Sequence, residues 1–184
     1  MLNTFVPIKE YVTNYKALLQ KTITNLSEPL ELMIIQVGHN QASDTYIRNK
    51  VKDAEEVGLK CTVINFDETI TETDLLAFID TANNDNSING IIVQLPLPKH
   101  ISEESIKLAI MPEKDVDGFH PLSKTVAATP LGIYKYLKAM QYDFDDDNKN
   151  KDRCDKRSER YPLRALLDRH DCPPPVLPTT LTEN

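Results

Sequence analysis

The chain has no tryptophan, three cysteines and five glycines in 184 residues, and none of the glycines lies beyond Gly132. Each shortage excludes something. Cys61, Cys154 and Cys172 are odd in number and irregularly spaced, which gives neither a disulfide framework nor a Cys-x-x-Cys metal pair, so all three read as free thiols and no metal is expected. Gly38, Gly58, Gly90, Gly118 and Gly132 stand isolated. A dinucleotide-binding turn needs clustered glycines at a strand-to-helix junction, where the backbone must approach a pyrophosphate. The chain is therefore expected to bind no nucleotide cofactor of its own. No apolar run approaches the ~18 residues of a membrane span, and Met1 to Pro7 lack the basic region and long apolar stretch of a signal peptide. A cytoplasmic location is expected, with no membrane partner. The net charge of -7 argues against a nucleic-acid partner, because association would work against long-range repulsion.

What is present is a chain with 40% hydrophobic residues, enough for one core of roughly 100–150 residues plus an appendage. Helical and strand patterns alternate. Ile8, Tyr11, Val12, Tyr15, Leu18 and Leu19 recur at helical spacing within 8–27, and 31–37 reads as a strand that stops at Gly38. A helix over 43–57 follows, with Ser43 or Asp44 as its cap and Gly58 as its stop. The strand 61–66, a helix over 72–83 capped by Thr71, and the strand 88–94 complete a βαβαβ order. Shorter helices are expected over 103–110 and, from the Thr129-Pro130 start, over 130–140. This order predicts an α/β fold, a three-layer αβα domain with a mostly parallel sheet, whose ligands sit beyond the carboxyl ends of the strands. After Met140 the composition changes to a charged stretch, 143–153, with few apolar residues, and then to the proline-rich Cys172 to Pro178. The expected division is a domain over 1–141 and an irregular tail over 142–184.

Two segments carry candidate chemistry. The run Gly90-Ile91-Ile92-Val93-Gln94-Leu95-Pro96-Leu97-Pro98 is a β-branched strand stopped by two prolines, which leaves Gln94 on the sheet rim. An ordinary strand end with a rigid exit loop explains it equally well. On the helix after the first strand, Tyr46 and Lys50 are four residues apart and share a face that starts at the same rim. The bland alternative is an amphipathic helix whose tyrosine packs while the lysine reaches outward. Asp115 and Asp117, in Asp-Val-Asp-Gly, read as turn residues by themselves, and His120 as a loop-packing residue.

Taken together, Val37-Gly38-His39-Asn40-Gln41-Ala42-Ser43, Tyr46-Ile47-Arg48-Asn49-Lys50, Glu55-Glu56-Val57-Gly58, Gly90 to Pro98, Pro112 to Pro121 and Thr129-Pro130-Leu131-Gly132-Ile133 occur in an order that resembles the bifunctional methylenetetrahydrofolate dehydrogenase/methenyltetrahydrofolate cyclohydrolase family. The resemblance covers roughly residues 8–141. It implies a folate cleft between an N-terminal catalytic domain and a C-terminal NADP-binding domain, a tetrahydrofolate derivative as substrate, and a homodimer. Motif by motif, it makes Tyr46 a stacking partner for the aminobenzoyl ring and Lys50 the catalytic lysine of the cyclohydrolase step. Gln94 becomes its hydrogen-bonding neighbour, helping to set its protonation. Pro96 becomes a wall of the pterin pocket, and Asp117 the ligand of the amino-pyrimidine edge, where a carboxylate facing paired N–H donors confers orientation as well as affinity.

The departures are equally specific. Where the family has an Asn and a Gly-Arg-Leu before its Cys-Thr-Pro, Ser123 to Ala127 lead directly to Ala128-Thr129-Pro130. The family's Gly-Arg-Ser-x-x-Val-Gly-x-Pro turn is absent, and Arg157-Ser158-Glu159-Arg160-Tyr161-Pro162-Leu163 resembles a collapsed remnant of it. The expectation is a folate-site protein that retains the cyclohydrolase groups and lacks the NADP site, with dehydrogenation lost. The alternatives are a non-catalytic folate-binding or subunit-interaction protein derived from the family, and a degenerate product without ligand.

Overall fold

The computed structural model describes residues 7–140; the expectations for the charged stretch, Cys154, Cys172 and the proline-rich end fall outside the described residues. The chain divides into two units, one spanning Thr4–Ala127 and one that includes the helix Ala128–Ala139. No helix among the described residues is long and apolar enough to cross a membrane.

In the first unit the order is α1 (Ile8–Thr24), β1 (Glu31–Val37), α2 (Gln41–Glu56), β2 (Lys60–Phe66), α3 (Glu72–Asn84), β3 (Gly90–Val93) and α4 (Glu103–Ala109); α5 is Ala128–Ala139. The three strands form one parallel sheet in the order β2-β1-β3, the α/β fold expected. Boundaries shift by one to three residues. β3 ends at Val93, and α1 closes at Thr24 rather than near 27. α2 begins at Gln41, two residues before the expected start, and α5 at Ala128 rather than 130.

Strand β1 lies between the other two and is covered on both faces, which explains the unbroken apolar run Leu32-Met33-Ile34-Ile35. The pleat sorts its residues. Ile35 joins Val93, Leu75, Ile79 and Ile106 in a core against α3 and α4. Ile34 and Ile92, paired across the β1–β3 ladder, turn the other way and pack with Ile47 of α2. Ile34, Ile35, Leu75 and Ile79 have no exposed surface, and each such side chain contributes about 1.5–3 kcal/mol of burial free energy. Opposite helix placement follows from topology: the chain steps from β1 to β2 and then back past β1 to β3, so right-handed crossovers put α2 and α3 on different faces. From the carboxyl end of β1 the chain leaves for α2 on one face, and from that of β3 for α4 on the other; open parallel sheets bind ligands where neighbouring strands part in this way.

Gly90 decides what covers β3. A Cβ there would lie 2.6 Å from Val116 Cγ1 and 3.4 Å from Leu32 Cδ1. The missing side chain lets Val116 settle on the α2 face of the sheet, where it belongs to the cluster around Ile34 and Ile92. The Lys114 carbonyl accepts from Ile91 N–H at 2.8 Å, and Asp115 bridges to Ile91 in parallel sense. The Asp-Val-Asp-Gly segment thus runs along the free edge of β3. Replacing Gly90 by alanine is expected to lower stability by about 1–3 kcal/mol through overpacking against Val116, read as a lower urea midpoint with unchanged slope.

Candidate active site

The start of α2 is fixed by Asn40, whose side chain accepts from Ala42 N–H at 3.0 Å and Ser43 N–H at 3.2 Å. This corrects the expectation that Ser43 or Asp44 caps the helix. Both have capping chemistry, but tertiary partners claim them: Ser43 Oγ donates to the Leu95 carbonyl at 3.4 Å, and Asp44 accepts from Gln36 Nε2 at 2.6 Å. Both contacts tie the first turn of α2 to the sheet's carboxyl edge. Thr71 does cap α3 as expected, accepting from Asp74 N–H at 3.1 Å.

Ser43, Ile47 and Ala54 are the buried residues of α2, and they mark the stripe that faces the sheet. Lys50 lies one turn from both Ile47 and Ala54, on the same side. Gln94 follows β3 with the parity of Ile92, so its side chain emerges on the α2 face. The two meet: Lys50 Nζ donates to Gln94 Oε1 at 3.2 Å. The amide cannot turn over freely, because Gln94 Nε2 donates to the Leu95 carbonyl at 2.7 Å. A carbonyl only accepts, so it holds the nitrogen of the amide and presents the oxygen to the lysine. An ammonium has three donors, and Gln94 takes one of them.

Asp117 is partly buried and lines a groove beside β3 together with Leu95 and Phe119. Among the described residues no hydrogen-bond donor reaches its carboxylate. Burial pushes its carboxyl above the ordinary 3.8, the Lys50 charge pulls it back, and Asp115 adds to the rise. The lysine's field therefore reaches this carboxylate. Asp115 keeps the turn role expected of it, with its oxygens accepting from Gly118 N–H at 3.0 Å and His120 N–H at 2.8 Å. His120 does pack within the loop, its Nδ1 accepting from Leu122 N–H at 3.0 Å. Gly118 has φ +71°, and a Cβ there would lie 2.6 Å from the Thr125 carbonyl oxygen, so this turn needs glycine.

The remaining candidates sit further out. Tyr46 shares the Lys50 side of α2 one turn closer to the helix start and is 63% exposed. Pro96 is exposed, after a cis Leu95–Pro96 bond. The geometry thus joins Lys50, Gln94 and, electrostatically, Asp117, and leaves Tyr46 and Pro96 on the open side. Sequence reasoning missed Gln36 and Asn40. Gln36 is 5% exposed, a polar residue inside an apolar strand, and that mismatch was the available signal.

The model of the tetrahydrofolate dehydrogenase/cyclohydrolase catalytic domain matches residues 7–117. The chain belongs to this family. It is 42% identical over 156 residues to the bifunctional protein FolD of Enterococcus faecalis, an alignment covering 78% of this chain and 55% of that protein. It is 50% identical over 117 residues to FolD of Listeria innocua, covering 59% and 41%. Among solved structures, the bifunctional FolD methylenetetrahydrofolate dehydrogenase/cyclohydrolase of Campylobacter jejuni superposes with a TM-score of 0.68 at 40% identity, over 71% of this chain and 51% of that one. The 5,10-methylenetetrahydrofolate dehydrogenase of the silkworm Bombyx mori gives the same score and identity over 71% and 50%. The chain spans about half the length of the curated relatives it matches.

The raised Asp117 carboxyl has a definite consequence for this member of the family. The native state holds that proton more tightly than the unfolded chain, so the group's contribution to stability falls as pH rises from the ordinary carboxylate value through the raised one, and stays lost above it. Asp117→Asn is accordingly expected to be more stable than the wild type at neutral pH, with the difference vanishing in acid where both side chains are neutral. Melting temperatures of the two proteins measured across that range check it.

Proposed function

We propose that the chain acts on the one-carbon bridge of a tetrahydrofolate, hydrolysing 5,10-methenyltetrahydrofolate to 10-formyltetrahydrofolate. The observation that carries the reading is the Lys50–Gln94 pair at 3.2 Å, held at the sheet's carboxyl edge in a chain of the tetrahydrofolate dehydrogenase/cyclohydrolase family. Water adds to the electrophilic bridge carbon and releases one proton; the carbon–N5 bond then breaks as the new hydroxyl becomes the formyl carbonyl, its remaining proton passing to N5. Lys50 orients the water and handles its proton. Gln94, its own orientation fixed by the Leu95 carbonyl, holds the lysine head in place. Asp117, lacking a donor among the described residues, offers both oxygens to the paired N–H groups of the pterin's amino-pyrimidine edge. Tyr46 lies on the open side, where the aminobenzoyl ring would stack on it.

We infer that this chain by itself does not hold NADP, because a dinucleotide turn needs clustered glycines where a strand enters a helix. Of the two strand-to-helix turns that lead into α2 and α3, the first has a single glycine, Gly38, and the second none. At these helix starts the Ala42 and Ser43 N–H groups already donate to Asn40, and the Asp74 N–H to Thr71, where a phosphate would compete for them. Equilibrium binding to the chain alone is expected to give an NADP dissociation constant in the millimolar range or weaker, roughly -4 kcal/mol at best; saturable micromolar binding would contradict this.

The main test compares wild type with Lys50→Met. The wild type is expected to hydrolyse 5,10-methenyltetrahydrofolate above the buffer rate, and the variant to lose about a hundredfold or more of that gain with an unchanged circular dichroism spectrum. Equal rates in the two proteins sink the catalytic reading; equal rates with saturable folate binding favour the non-catalytic folate-binding protein instead.

A further inference from the structure

Among the described residues Asp115 is the one acidic side chain that is buried, 3% exposed, and none of their cations lies within ion-pairing distance of it. Its charge is met by backbone donors. One oxygen takes Gly118 N–H at 3.0 Å, the other takes His120 N–H at 2.8 Å. Its own backbone is tied on three sides: its N–H donates to the Met111 carbonyl at 3.0 Å, its carbonyl accepts from Ser123 Oγ at 3.2 Å, and it bridges to Ile91 of β3. Three residues after Ile91, the same strand delivers Gln94.

Asp117 has no such anchors. No donor among the described residues reaches its carboxylate, so its position is inherited from its neighbours. Val116 is locked over Gly90, and Gly118 is held by its bond to Asp115. We propose that Asp115 is a positioning residue for the substrate, its carboxylate clamping the 116–120 loop to β3 so that Asp117 stands in register with the Lys50–Gln94 pair. The inference rests on the folate reading of the site. Asp115 touches no reacting atom in it; its effect passes through Asp117.

Such a residue acts on substrate binding more than on turnover, which separates it from a purely structural one. The test is steady-state hydrolysis of 5,10-methenyltetrahydrofolate by the full chain. Asp115→Asn keeps the size but places an NH2 group against one of the two N–H donors. It is expected to raise KM about tenfold with kcat within about twofold, and to add little to the KM defect of Asp117→Asn when the two are combined, as coupled neighbours do. An unchanged KM, or two defects that multiply, overturns the role. If Asp115→Asn does not fold, Ser123→Ala decides: it removes the hydroxyl that holds the Asp115 carbonyl and spares the carboxylate. A smaller KM increase at unchanged melting temperature is expected, and an unchanged KM overturns the role. A wild type without turnover sinks the folate reading and this role together, whereas an active wild type with an unaffected Asp115→Asn sinks this role alone.

Discussion

Strand β3 is the constraint on which the site depends. It is four residues long, and three things register on it. Its β1 side sets the parity that turns Gln94 toward α2. Its outer edge carries the Lys114–Asp115 segment through the Ile91 bonds. Its first residue, Gly90, admits Val116. A slip of one residue in the β1–β3 pairing would exchange the faces and send Gln94 toward α3. The slip is opposed because Ile34 and Ile92 on one face, and Ile35 and Val93 on the other, would all lose their partners together.

The polar part of the domain uses backbone groups where ion pairs would be costly. The Leu95 carbonyl holds Gln94 and Ser43, and the loop N–H groups hold Asp115. Fixed peptide dipoles solvate a buried carboxylate without a second buried charge to desolvate. Asp117 is treated differently: burial raises its carboxyl, and no donor among the described residues bonds to it. Stability given up at a site in this way is expected where a ligand is to restore it.

Much of this was legible along the chain because it is local. Apolar residues at helical spacing, the β-branched runs, the Thr71 cap and the stop at Gly58 each depend on neighbours within a few residues, and the elements appear within one to three positions of where these signals put them. The start of α2 differs from the sequence expectation for a physical reason. Asn40, Ser43 and Asp44 can all cap, and the choice among them depends on Gln36 and Leu95, which come from other elements. The motifs held more than the spacing did: Tyr46 and Lys50 four residues apart are unremarkable, and only their company in sequence order pointed to a folate cleft.

By itself the sequence determined the α/β order, the parallel sheet, and the residue types available for chemistry, since periodicity and chain direction specify those through short-range sterics and burial. Tertiary structure alone decided which polar groups would meet. Lys50 and Gln94 are 44 positions apart, and their contact requires the strand order, the crossover hand and the pleat parity at once. It also decided which carboxylate of Asp-Val-Asp is spent on the backbone and which is left open. The two acids differ little in local sequence, and it is the fold of the 116–120 loop that brings the Gly118 and His120 N–H groups to Asp115 and none among the described residues to Asp117.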